Sequence, residues 1–147
     1  MKPPFWLIVV LTTGCGLLFG SEGRILGTVH LERLESDLQR PLIEVPETVS
    51  AATPFTASVI TEVGGCVRGG ETEVEVIGST ATITPYDYSS EKTQGGSDDI
   101  CTLELKLYEH VTEVTFDFPG ASTVVVNSRA VSFDPEPIEY EYAVWVQ

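Results

Sequence analysis

In residues 55–66, FTASVITEVGGC, the side chains Phe55, Ala57, Val59 and Val63 alternate with Thr56, Ser58, Ile60 and Glu62. A period of two belongs to a strand with one face in a core and the other toward water. Gly64 and Gly65 then loosen the backbone just before Cys66, and the only later cysteine is Cys101. This stretch is expected to be a central strand, stapled to a neighbour by a Cys66–Cys101 disulfide.

The same alternation recurs along the chain. Ile25, Val29 and Leu31 suggest a first, edge-type strand, and Pro41 and Pro46 bracket a short one at LIEV. Between them, Leu31, Leu34 and Leu38 stand at helical spacing, so residues 33–40 read as one helical turn or as a polar loop. Residues 67–88 read as a hairpin turning at Gly78-Ser79, with Val74, Val76, Ala81 and Ile83 on one face. Residues 89–99, SSEKTQGGSDD, carry no large apolar group and read as a surface loop. Cys101, Leu103, Leu105 and Leu107 then define an apolar face, followed by strands at 111–118, 121–127 and 138–146. Seven to nine strands with frequent turn signals and no long helical pattern predict an all-β fold, an antiparallel sandwich. The bridge from Cys66 to Cys101 closes a loop of about 35 residues, which stabilises by about 3–4 kcal/mol on the chain-entropy view.

The N-terminus has a different character. Lys2 precedes the apolar run FWLIVVL at residues 5–11, and Thr12, Thr13 and Gly14 lead to Cys15. That is the layout of a secretory signal peptide. Extended to Phe19, the run still falls short of the roughly 20 residues a spanning helix needs. Thr12-Thr13-Gly14-Cys15 resembles the lipobox of bacterial lipoproteins, with Thr12 where that family prefers Leu. The resemblance implies lipidation of Cys15, which becomes the mature N-terminus. The alternative is an ordinary signal peptide cut near Gly20, with Cys15 discarded. Lipidation would also leave the two remaining cysteines to pair without remainder. The expected organisation is a signal peptide at 1–14, a lipidated tether at 15–23 reaching about 28 Å at most, and a β domain at 24–147.

Two further stretches resemble bacterial immunoglobulin-like domains. In PETVSAATPFTASV, the residues Pro46, Val49, Pro54, Phe55, Ala57 and Val59 match the entry strands of that family. FPGASTVVVN is similar to its penultimate strand, with Ser122 in place of the usual tyrosine. The resemblance implies an immunoglobulin-like sandwich and no particular activity.

Composition narrows the partners. Against 22 acidic residues stand 8 basic ones, a net charge of −14. Such a chain repels phosphate backbones, so no nucleic-acid partner is expected. Nor is electrostatic attachment to an anionic membrane expected. The chain has no GxSxG, Walker, HExxH or CxxC motif. His30 and His110 both read as strand histidines, the latter as a surface neighbour of Glu109 and Glu113. Asp87, Asp98 and Asp99 are candidate oxygen ligands for calcium around the acidic loop. Tyr86, Tyr88 and Trp145 are candidates for an aromatic platform. The leading expectation is a non-catalytic, exported, lipid-anchored envelope protein without a cofactor, in the periplasm or at the cell surface. It would bind an envelope protein or polymer through a sheet face or edge. The alternative is a small calcium-dependent or enzymatic protein using Asp87, Asp98 and Asp99.

Overall fold

Alternating apolar residues become strands throughout, and no helix forms among the described residues of the computed structural model, which are 22–34, 38–90, 104–131 and 136–147. The strands are β1 (Glu22–Leu26), β2 (Leu31–Arg33), β3 (Gln39–Pro41), β4 (Ile43–Glu44), β5 (Thr48–Val49) and β6 (Phe55–Gly64). They continue with β7 (Val67–Ile77), β8 (Thr80–Ser90), β9 (Leu105–Val114), β10 (Gly120–Arg129) and β11 (Pro137–Val146). Nine of them form one mixed sheet in the order β4-β6-β7-β8-β10-β11-β5, with β9 also on β6 and β1 also on β8. β2 and β3 form a separate hairpin.

The sheet curls because β6 and β7 share a single residue pair, Gly64 with Val67. Beyond that pair, β6 takes β9 along its whole length, from Phe55–Val114 to Gly64–Leu105. β7 instead follows β8. Two arms therefore leave the hinge and close over one core. Ala57, Val59, Val114 and Phe116 come from one arm, and Ala81, Ile83, Val124, Val126, Val144 and Val146 from the other. The Phe55 and Phe116 rings stack at 5.9 Å.

A short crossing segment ties the arms together. Gly27 N–H donates to Pro85 O at 2.9 Å, and Gly27 O accepts from Arg129 N–H at 3.0 Å. One residue on, Thr28 O accepts from Glu62 N–H at 2.8 Å, and His30 N–H donates to Ile60 O at 2.8 Å. Between them the Val29 side chain is fully buried, with its N–H on Ser128 Oγ at 3.1 Å.

Several expectations need correction. The sheet is mixed, not purely antiparallel: β8 runs parallel to β10, and β5 parallel to β11. β1 begins at Glu22, so the last two residues of the expected tether pair with β8. Around residues 33–40 the chain forms the β2–β3 hairpin, closed by Leu34 N–H to Leu38 O at 2.9 Å. The expected apolar face of Leu105 and Leu107 points to solvent, at 62% and 52% exposure. Pairing of Val59 with His110 and of Phe55 with Val114 sets β9's register, and that register buries His110 and Val114 instead. Cys66 stands in the turn between β6 and β7, whereas Cys15, Cys101 and Leu103 lie outside the described residues.

Gly27 packs so closely that a Cβ there would sit 2.8 Å from Thr61 Cγ2 and 3.1 Å from Asp87 Oδ2. Gly27→Ala is expected to cost about 1–3 kcal/mol by overpacking. Gly23→Ala, whose Cβ would meet nothing nearer than 3.8 Å, is expected to be near neutral. Urea denaturation midpoints of the two variants check this.

Candidate functional site

Between the arms, the alternation of three strands delivers polar groups to the core instead of apolar ones. Thr61 follows Ala57 and Val59 on β6, and Asp87 follows Ala81, Ile83 and Pro85 on β8. His110 shares a face with Val114 on β9. Asp87 and His110 are 1% and 2% exposed, and Thr61 is fully buried. His110 Nε2 lies 3.2 Å from Asp87 Oδ1 and 3.1 Å from Thr61 Oγ1. Its Nδ1 lies 3.0 Å from Thr72 Oγ1. The Thr61 hydroxyl donates to Asp87 Oδ1 at 3.4 Å, and the Tyr108 ring meets the imidazole edge-on at 4.9 Å. Tyr108 in turn lies across Gly69, where a Cβ would be 2.2 Å from its ring. An acid, an imidazole and a hydroxyl in mutual contact form a set used in nucleophilic catalysis. Here every member is enclosed, with none of Asp87, His110 and Thr61 more than 2% exposed. The cluster is a buried polar cross-link between the arms.

This corrects the surface reading of His110, and it removes Asp87 from an exposed calcium-ligand set, because its Oδ1 is engaged inside the core. Asp98 and Asp99 lie outside the described residues. Among the described residues no group of three or more His, Cys, Asp or Glu side chains could hold a metal ion. His30 pairs with Glu62, Nδ1 to Oε1 at 2.8 Å.

The aromatic candidates do not converge. Tyr86 lies under the Arg24 guanidinium, 3.5 Å from ring centre, and Tyr88 under Arg68 at 4.7 Å. The Tyr88 hydroxyl donates to Glu71 at 2.8 Å, and that hydrogen bond holds the phenol's pKa above its ordinary value. Arg24 also pairs with Glu71 and Glu73, so these rings belong to a cation–aromatic lattice. Trp145 pairs with Ala121 on β10, near the opposite end of β8: Thr123 pairs with Thr80 there, and Tyr86 is six residues, about 20 Å, further along.

What the tertiary structure does build is a cleft of about 820 Å³ between β4, the outer face of β6–β9 and β11. Ile43, Val45, Val111 and Tyr142 give it apolar walls, and Glu44, Glu47, Glu109 and Glu141 ring it with carboxylates. No Lys or Arg lines it, and none of these glutamates joins an ion pair among the described residues. The sequence reading missed this site. Its residues come from four separate stretches, and only the exposed Val111 between Glu109 and Glu113 hinted at it.

Compared with known proteins, the chain matches no protein family, no curated protein and no solved structure.

Removing one side of the buried cross-link strands the other. His110→Leu is expected to cost about 2–4 kcal/mol, because Asp87 keeps its desolvation without its partner. The Asp87→Leu/His110→Leu double variant is expected to recover part of that loss. A double-mutant cycle by urea denaturation reads the coupling, and strictly additive losses would show that the contact is idle.

Burial raises the pKa of Tyr140, and burial plus the neighbouring Tyr140 charge raises that of Tyr142. Both phenols therefore hold their protons in the fold beyond the pH of about 10 at which an exposed tyrosine ionises. The stability they contribute is complete below pH about 10 and declines as pH rises toward the folded-state pKa. With Tyr88, raised by its bond to Glu71, phenolate absorbance should show three tyrosines titrating late in folded protein and normally in urea.

Proposed function

We propose that this chain is a non-catalytic, lipid-anchored module of a bacterial envelope, exported and held at the membrane through Cys15, that binds a partner with its β domain. The observation that carries the reading is the apolar run at residues 5–11 leading through Thr12-Thr13-Gly14 into Cys15. A disulfide between Cys66 and Cys101 fits export into an oxidising compartment, and Cys66 is not a free thiol. Two arms closing over one core support reading the curled sheet as a variant of the immunoglobulin-like sandwich. Binding is favoured over catalysis by where the polar chemistry lies: the Asp87–His110–Thr61 set is sealed in the core, while the residues lining the cleft are glutamates, Thr56, Ser58, Tyr142 and apolar groups, with no histidine, lysine or cysteine among them. The partner is an envelope protein or polymer.

The test is expression of the full chain in a bacterium with lipoprotein-processing enzymes, followed by membrane fractionation and intact-mass measurement without reduction. The expected product is membrane-bound, begins at Cys15 with added acyl mass, and lacks the two hydrogens of a Cys66–Cys101 dithiol. Cys15→Ala should abolish acylation and release the domain from the membrane. A wild-type product beginning near Gly20 and free in the soluble fraction would sink the anchoring.

A further inference from the structure

The cleft borders an unused strand edge. β5 covers only Trp145 and Val146 of β11, with Trp145 N–H on Glu47 O at 2.8 Å and Gln147 N–H on Val49 O at 2.9 Å. Backbone groups on an antiparallel strand alternate sides. The N–H and C=O of Ala143, Glu141 and Glu139 therefore point to the same side as those of Trp145, away from β10. No described residue bonds to them. Glu141, Tyr142 and Ala143 are also lining residues of the cleft. An unpaired edge thus opens directly into a groove with room for a chain.

We propose that this groove takes an extended, basic polypeptide segment of a partner protein, added to the sheet along β11 in line with β5. The inference rests on the binding-module reading above and names its partner. Main-chain hydrogen bonds to Glu139, Glu141 and Ala143 would supply the pairing common to strand addition. Alternate side chains of the added strand would reach opposite sides. Apolar ones meet Ile43, Val45 and Val111, the last of which is 59% exposed and uncovered. Lysines or arginines meet Glu44, Glu47, Glu109 and Glu141, which have no cation partner among the described residues. Charge also selects against a second copy of this chain, because each copy carries −14 and would bring carboxylates against carboxylates.

The experiment uses detergent-solubilised full-length protein and a synthetic peptide of alternating lysine and valine. Three companions accompany it: the alternating glutamate–valine peptide, a lysine–valine peptide N-methylated at every second residue, and a salt series. The lysine peptide is expected to bind and to weaken as salt rises. The glutamate peptide should not bind, and N-methylation, which keeps charge but blocks one hydrogen-bonding edge, should weaken binding at least about tenfold. On the protein, E44Q/E109Q/E141Q should lose about tenfold or more, whereas E75Q/D117N/E136Q removes equal charge away from the groove and should lose less than about threefold. Absence of binding overturns the inference. So does equal loss in both variants, which would mean a diffuse field effect, or undiminished binding of the N-methylated peptide. A concentration-dependent dimer that the lysine peptide fails to dissociate would assign the edge to a second copy and overturn it too. None of these readouts depends on Cys15, so the inference can fail while membrane anchoring stands, or the reverse.

Discussion

A sheet that turns on one residue pair depends on whatever closes its open side. Here the closure is the crossing of residues 27–30 between β8, β10 and β6. Gly27 bonds to Pro85 and Arg129 on one arm, while Thr28 and His30 bond to Glu62 and Ile60 on the other. Val29 fills the space between them. The absence of a side chain at Gly27 lets this backbone pass within contact distance of Thr61 and Asp87. Core valines supply most of the burial energy, at roughly 25 cal/mol per Å² of apolar surface. They are not directional, however, and the crossing is what sets how the two arms meet.

The buried polar cluster adds direction to that meeting. A carboxylate, an imidazole and two hydroxyls on four strands, β6 to β9, can satisfy one another in only a few relative positions of those strands. Slipping β9 by one residue would turn His110 outward and leave Asp87 without its partner. Hydrogen-bonded burial of this kind is costly when incomplete and specifying when complete. The same groups that would suggest catalysis on a surface serve here as a register lock, because the arms close over them.

The surface divides by chemistry. On the β1–β7–β8 side, Arg24 and Arg68 are paired with Glu71, Glu73 and the tyrosine rings, so its charges are largely internally balanced. On the side between β4, β9 and β11 the carboxylates stand around apolar walls with no ion-pair partner among the described residues, beside backbone groups that no described strand meets. Proteins commonly blunt such edges with charge. Carboxylates alone blunt an edge against copies of the same acidic chain while leaving it open to a basic one.

The alternation of apolar and polar residues determined the all-β character, the hairpin at Gly78-Ser79 and the core faces of β6, β8 and β11. That signal is local: a period of two shows within a few residues and survives whatever the strand pairs with. It misled at Leu105 and Leu107, where an apolar series pointed outward. Which face of β9 is buried depends on pairing with β6, some fifty residues earlier, and not on β9's own composition. Thr61 and Asp87 continue faces already recognised as buried on their strands, whereas His110 lies opposite the face of β9 that read as apolar; Asp87 and His110, being polar, read as surface groups. The parallel pairing of β8 with β10, the crossing at Gly27 and the cleft beside β11 were decided by tertiary structure alone. Each joins residues distant in the chain, and no short stretch of sequence records which distant edge it will meet.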